Sequence, residues 1–298
     1  MRVPWAVTLL LAALGQAAAA PVITSGFAPG ADTVRIHYRE AGAADSARSL
    51  LLVPGWRISS LVFTHQLEYF AAHGLRVVAI DSRSQGGSTV VGSHNAPEDR
   101  ATDLQQVIAA LHLTRLVLVG WSQGVQDTAA YVKRFGTAAV DGFVLVDSPV
   151  SAGPADIAEN PQFVRQVLRG MASYSSDPRG YSDGLMHAII STPTPAATYR
   201  QLVDESMKTP PDVGLAMLAQ DLLTTDRRAA LAAFDKPVLV VASARSPLLD
   251  RTRRMAGVLP HAQLAIIDHA AHAVFFDQPD EFNRRLMGFV AGLGAGRR

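Results

Sequence analysis

The 298-residue chain contains no cysteine. That excludes a thiol nucleophile, a Cys-ligated zinc or iron–sulfur centre, and a disulfide framework. It also lacks an excess of either charge: 27 Lys+Arg stand against 26 Asp+Glu, a formal net charge of +1. Charged residues amount to 18%, below the roughly 25% average, so a polybasic nucleic-acid binder, an acidic tail and a disordered chain are excluded. Internal repeats are missing, and the Gly-rich C-terminal end is the one low-complexity tract. What remains is one large soluble domain, or one domain carrying an insertion, long enough for a substantial core.

The first residues follow a targeting pattern. Met1-Arg2 precedes an apolar run from Val3 to Leu14 and a small-residue tract, Ala17 to Ala20, the layout of a secretory signal peptide. A membrane anchor fits less well, because the run falls short of the ~20 apolar residues of a span and has no flanking charge on its far side. Cleavage after Ala19 is expected, leaving an exported mature chain, periplasmic or secreted.

Short runs of β-branched and aliphatic residues recur between turn formers: Leu50 to Val53, Val77 to Ile80, Leu116 to Val119, Phe143 to Val146, Val238 to Val241 and Leu264 to Ile267. Continuous apolar runs of this length suit strands buried on both faces. Helix-like segments such as Leu61 to His73 and Asp103 to Leu111 lie between them, so the alternation implies a parallel sheet covered by helices. Thr33 to Arg39 alternates in character and reads as an antiparallel edge strand. The alternation breaks after Pro149 and resumes near Lys236-Pro237. Between them, Pro161 to Met171 and Leu215 to Leu223 have helical spacing, which predicts a helical cap inserted into the sheet domain. The expected division is a signal peptide over 1–19, a core over 20–150 and 235–298, and a cap over 151–234.

Gly120-Trp121-Ser122-Gln123-Gly124 follows the strand run Leu116 to Val119 and precedes the helical run Val125 to Phe135. Strand, tight turn and helix are the context in which Gly-x-Ser-x-Gly marks an exposed nucleophile. The glycines are expected where neighbouring strand and helix leave no room for a Cβ. A serine hydroxyl needs a base to take its proton, which directs attention to a histidine beyond the last strand. His272 fits, with His269 as its rival. The two could instead bind a metal, but no third ligand with sensible spacing accompanies them. The remaining histidines have no motif around them; His187, in the cap, could reach a substrate.

On these residues the chain resembles the α/β-hydrolase superfamily, and more narrowly its esterase and cofactor-free haloperoxidase-like members. Val53-Pro54-Gly55-Trp56 looks like the family's oxyanion loop, with Pro54 where histidine is more usual. Asp81 to Ser88 is similar to the turn after the fourth strand, with Ser84 where glycine is common. His272-Ala273-Val274-Phe275-Phe276, followed by Gln278-Pro279, looks like the loop of the catalytic histidine. The resemblance implies an α/β fold with a mostly parallel sheet and an inserted helical cap, and an oxyanion hole built from the amides of Trp56 and Gln123. Each such donor is worth on the order of 3 kcal/mol in the transition state.

The third triad member departs from the pattern. Ser246 occupies the expected acid position after Val238 to Val241 and cannot hold a charge. Asp147, at the end of Phe143 to Val146, is the best alternative, since some family members place the acid after that neighbouring strand; a purely structural Asx-turn into Ser148-Pro149 competes with this reading. Asp250 and Asp268 are weaker candidates. Arg83 and Asp81 could anchor substrate or brace their loop, and Asp277 to Asp280 reads as a charged helix start.

The combined expectation is an exported serine hydrolase that cleaves a carboxylic ester or lactone through an acyl-enzyme. Ser122 attacks, His272 shuttles the proton and Asp147 orients it. Neither a cofactor nor a metal is implied. The expected partner is a small-molecule ester or lactone, with no nucleic acid and no membrane span in the mature chain. The alternatives are a cofactor-free haloperoxidase or perhydrolase, and a non-catalytic binding protein on the same scaffold.

Overall fold

A computed structural model describes residues 20–151 and 153–295; the expected signal peptide lies outside the described residues. Eight strands form one sheet: β1 (Thr24–Pro29), β2 (Arg35–Ala41), β3 (Ser49–Val53), β4 (Arg76–Ile80), β5 (Leu116–Trp121), β6 (Val140–Val146), β7 (Val238–Ser243) and β8 (Ala262–Ile267). Their spatial order is β1-β2-β4-β3-β5-β6-β7-β8. The β1–β2 and β2–β4 pairs are antiparallel, and every later pair is parallel.

The apolar runs become strands because alternate side chains point to opposite faces and both faces are covered. Leu50, Leu52, Val117 and Val119 enter one core with Leu67, Phe70, Phe275 and Leu286. Leu51, Val53, Leu116 and Leu118 enter the other with Leu104, Val107, Val125 and Met255. The helices around the sheet are α1 (Thr64–Ala72), α2 (Pro97–Ala110) and α3 (Gln123–Phe135), followed in the connection from β6 to β7 by α4 (Pro154–Glu159), α5 (Pro161–Ser176), α6 (Pro178–Ile189), α7 (Ala196–Ser206) and α8 (Pro211–Leu223), and then by α9 (Leu249–Val258), α10 (Val274–Asp277) and α11 (Pro279–Ala295). Helices α4 to α8 fill the tract between β6 and β7, where the sequence pattern has no strand signal. None of the helices among the described residues is long and apolar enough to cross a membrane.

Two expectations need correction. The stretch read as an edge strand, Thr33 to Arg39, becomes β2, and it lies inside the sheet because β1 pairs along its outer side. The run Leu264 to Ile267, read as buried on both faces, is the opposite edge, so Leu264 and Ile266 stay 40% and 36% exposed. An edge strand needs one covered face only, and apolar composition alone does not reveal which strands occupy the ends.

The parallel strands β3, β4, β5, β6, β7 and β8 all deliver their next residues to the same end of the sheet. Open α/β sheets bind their ligands at that carboxyl end.

Candidate active site

Ser122 stands between β5 and α3 with φ 57° and ψ −116°. A non-glycine residue in such a conformation stores roughly 1–3 kcal/mol of strain, held by the surrounding structure. Its N–H donates to the Val146 carbonyl at 3.1 Å, and its carbonyl accepts from Val125 N–H at 3.0 Å. The flanking glycines are dictated by space. A Cβ on Gly120 would lie 2.3 Å from the Gly124 carbonyl oxygen, and one on Gly124 would lie 2.5 Å from that of Val53. Both obstacles are backbone, so neither can step aside. Ser122 is half-buried and borders a cavity of about 130 Å³, lined also by Trp56, Gln123, Val167, Leu218 and Asp221.

The structure brings two of the other site residues together. His272 Nδ1 lies 2.7 Å from Asp147 Oδ2. A carboxylate only accepts, so Nδ1 carries the proton and Nε2 is left as the basic nitrogen. Asp147 is fully buried, and its Oδ1 accepts from Ser243 N–H at 2.9 Å. Its backbone is left-handed, with φ 50°, and its N–H donates to the Val241 carbonyl at 2.7 Å. The carboxylate therefore faces β7 and the histidine loop; its bonds are to Ser243 and His272 rather than those of an Asx-turn into Ser148-Pro149.

The competing residues lie elsewhere. Ser246 Oγ accepts from Leu248 N–H at 3.2 Å at the start of α9. Asp250 is exposed and pairs with Arg253; Asp268 and His269 are exposed too. His187 is exposed on α6 beside Asp183, Ser191 and Tyr199, away from Ser122. Arg83 and Asp81 act as braces. Arg83 forms a buried two-pronged pair with Asp103, 2.6 Å on each arm, and Asp81 accepts from Ser60 N–H, Gly87 N–H and the His37 ring. Ser84, in the usual glycine position, adopts φ 62° and bonds Asn95. Among the described residues no group of three or more His, Asp or Glu side chains is placed to hold a metal ion.

The His272 loop is held from three sides. Trp121 Nε1 donates to the His272 carbonyl at 2.9 Å, and Ala273 N–H donates to Ile189 O, at the end of α6, at 2.8 Å. Asp277 supplies the third hold: its carboxylate accepts from Ala271 N–H, Ser191 N–H, Ser191 Oγ and Thr192 N–H, at 2.6 to 3.0 Å. Read from sequence as a helix-start charge, Asp277 instead pins the segment after α6 to the loop bearing His272. Burial alone would push its carboxyl up; these donors outweigh burial and hold it below the usual carboxylate range.

The loop after β3 packs directly on the serine. A Cβ on Gly55 would lie 3.1 Å from Ser122 Cβ. Ile58 N–H closes a turn onto the Gly55 carbonyl at 3.2 Å, with Arg57 at φ 60°, so Trp56 N–H lies outside the turn's own hydrogen bond. Gln123 is the first residue of α3, and its N–H is among those that a helix cannot satisfy internally. The indoles have separate roles: Trp56 Nε1 reaches the Gly214 carbonyl of α8 at 2.9 Å, while Trp121 is 1% exposed. Arg57, buried, donates to Ser182 Oγ at 2.7 Å and lies 4.0 Å over the Tyr174 ring, tying the same loop to α5 and α6.

Beneath the cavity lies a buried charge cluster that sequence reading missed. Arg100 bonds Asp127 and Asp221, each at 2.8 Å. Burial opposes the Arg100 charge, but the two carboxylates raise its affinity for its proton. Burial, with Asp221 adding to it, pushes the Asp127 carboxyl up to about 7 against the pull of Arg100.

With this geometry established, comparison with known proteins places the chain. The model of a family described as "Alpha/beta hydrolase family" matches residues 50–285. The chain belongs to the α/β-hydrolase family. It is 25% identical to a non-heme chloroperoxidase from Kitasatospora aureofaciens, over 87% of this chain and 97% of that protein. It is 26% identical to a bifunctional esterase/perhydrolase from Acinetobacter calcoaceticus, over 89% and 99%. The crystal structure of an esterase from Rhodococcus sp. superposes with a TM-score of 0.79 at 26% identity, covering 90% of this chain and 99% of that one.

The Asp277 clip has a pH signature. Because its folded carboxyl is held below the unfolded value, the unfolded chain takes up the proton first. The clip's stabilisation is complete above about pH 4 and is lost as pH falls through the folded value. In thermal unfolding at pH 7, Asp277→Asn should melt below the parent, and the gap should shrink as pH is lowered towards 3. A gap that stays constant over that range would mean the charge of Asp277 does not hold the loop.

Proposed function

We propose that this member of the α/β-hydrolase family is an exported serine hydrolase that cleaves short-chain carboxylic esters or lactones through an acyl-enzyme. The observation that carries the reading is the 2.7 Å contact between His272 Nδ1 and the buried Asp147 carboxylate, at the carboxyl end of the sheet that also presents Ser122. In this reading Ser122 Oγ attacks the ester carbonyl while His272 Nε2 takes its proton. The oxyanion forms against the amides of Trp56 and Gln123. Collapse of the intermediate expels the alcohol, which receives the proton from His272, and a water activated by the same imidazole releases the acid. Asp147 keeps the imidazole in the required tautomer and stabilises its cation.

The size of the cavity supports a small acyl group. About 130 Å³ beside Ser122, walled partly by Trp56, Val167, Leu218 and Leu222, suits an acyl chain of a few carbons. Helices α4 to α8 act in this reading as a cap that excludes water. Ser246 at the usual acid position would favour a non-catalytic scaffold; Asp147 beside His272 speaks for the hydrolase instead.

A second reading has specific support in the relatives named chloroperoxidase and esterase/perhydrolase. The same acyl-enzyme, attacked by hydrogen peroxide in place of water, yields a peracid: the peroxide oxygen bonds the acyl carbon, the bond to Ser122 Oγ breaks, and the peroxide proton returns to the serine through His272.

Purified protein should hydrolyse p-nitrophenyl acetate faster than the long-chain esters. Ser122→Ala should abolish that turnover and leave the fold intact; appreciable residual activity would sink the mechanism. Acetate- and peroxide-dependent halogenation of a reporter, lost in Ser122→Ala, would assign perhydrolysis as well. Asp147→Asn should lower turnover by as much as ~10⁴, while Asp250→Asn stays near the parent. Near-full activity in Asp147→Asn would remove it from the triad.

Export is tested separately. Expressed with its own N-terminus in a bacterial host with an exporting envelope, the protein is expected outside the cytoplasm with a new N-terminus at or next to Ala20. Recovery of the uncleaved chain from the cytoplasm would contradict the signal-peptide assignment.

A further inference from the structure

One hydrogen-bonded chain crosses the floor of the site and joins the two segments from which the oxyanion donors come. At one end, Ile58 N–H, which closes the turn carrying Trp56, also donates to Gln85 Oε1 at 3.2 Å. Gln85 Nε2 lies 3.4 Å from Gln123 Oε1. Gln123 Nε2 donates to Asp221 Oδ2 on α8. Asp221 Oδ1 then accepts from Arg100 Nη2 at 2.8 Å, Arg100 Nε reaches Asp127 Oδ1 at 2.8 Å, and Arg100 Nη1 donates to the Asn95 carbonyl.

The direction of every bond in this chain is forced. Arg100 has donors only and the Asp221 carboxylate has acceptors only, so Gln123 must turn its amide nitrogen to Asp221. That leaves the Gln123 oxygen for Gln85, which must donate with Nε2 and accept with Oε1, and the acceptor so presented faces a backbone N–H. Reversing either glutamine would set two donors or two acceptors face to face at a buried contact, at a cost of roughly 1–3 kcal/mol each. Gln85, Gln123, Asp221, Arg100 and Asp127 are all between 0% and 3% exposed, so water cannot easily take over these bonds.

The geometry points to Gln85 and Asp221 as positioning residues for the oxyanion hole. Gln85 sets the spacing between the Trp56 turn and the N-terminus of α3, and Asp221 makes that spacing depend on α8 being seated. The inference rests on the hydrolase reading given above and deepens it. Neither side chain touches the reacting atoms. They act through Ile58 and Gln123, and the helices between β6 and β7 thereby complete the hole as well as cover it. A misplacement well under 1 Å is enough to matter, because the donors must meet the oxyanion rather than the ground-state carbonyl.

The test uses the full chain with Gln85→Met and Gln123→Met, each of which keeps side-chain length and every backbone amide but removes the side-chain hydrogen bonds. With p-nitrophenyl acetate, each variant should lose about 10- to 100-fold in kcat with KM changed by less than about twofold, part of the 10²–10³ that a whole donor supplies. Inhibition by a phenylboronic acid, whose tetrahedral adduct on Ser122 also uses the hole, should weaken by a similar factor. The double variant should be no worse than the poorer single one by more than about twofold, because both act on one spacing. Asp221→Asn, with thermal melting run alongside, should move kcat in the same direction.

Unchanged kcat and boronate inhibition in the two methionine variants would overturn the inference. So would losses that multiply in the double variant, or losses that track a collapsed melting temperature with boronate affinity preserved in the folded fraction. Parent protein that neither turns over ester nor binds the boronate would count against the hydrolase reading itself.

Discussion

The tight passage from β5 through Ser122 into α3 is the constraint on which the rest of the site depends. Room for it exists because residues 120 and 124 have no Cβ: a methyl group at either would penetrate a backbone carbonyl, 2.3 Å and 2.5 Å away. The strained serine is held by Val146 O from β6 and crowded by Gly55 from the β3 loop. Three adjacent parallel strands thus have to end at one level. Once they do, Asp147 and the loop after β8 face each other across the next strand end, and the imidazole meets the Asp147 carboxylate.

Much of this was legible in the sequence, for local reasons. The Gly-x-Ser-x-Gly pattern encodes a steric condition within five residues, and the apolar runs encode burial of both strand faces. Asp147 is reached through the resemblance, in which some family members carry the acid after the strand beside the usual one. The structure adds its surroundings: Ser243 N–H, at the end of β7, donates to Asp147 Oδ1, and Oδ2 lies 2.7 Å from His272 Nδ1.

What could not be read depends on distant pairing. Strand β1 has no β-branched run and contains Gly26 and Pro29; it is a strand because β2 offers a partner, with Gly26 opposite Tyr38, whose ring would lie 2.7 Å from a Cβ there. Its presence moves β2 from the edge to the interior. Asp277 resembles any acidic residue at a helix start until α6 delivers Ser191 and Thr192 to it. Asp221 and Arg100 are 121 positions apart and meet only because α8 returns over α2. A buried arginine gives no signal in a single sequence, since its charge is expected at the surface.

The helices between β6 and β7 are therefore bound to the carboxyl end of the sheet by directional polar contacts as well as by apolar cover. Trp56 to Gly214, Arg57 to Ser182, Asp277 to Ser191 and Gln123 to Asp221 each join a loop or helix end beside the sheet to one of these helices or the segment next to it. In the proposed reaction Ser122 carries the acyl group during turnover. The most direct measurement is peptide mass mapping of protein quenched in acid during reaction with a slowly released ester. The account predicts a mass increase of one acyl group on the peptide containing Ser122, absent from Ser122→Ala. An adduct on another residue, or full turnover with no acylated peptide at any quench time, would contradict it.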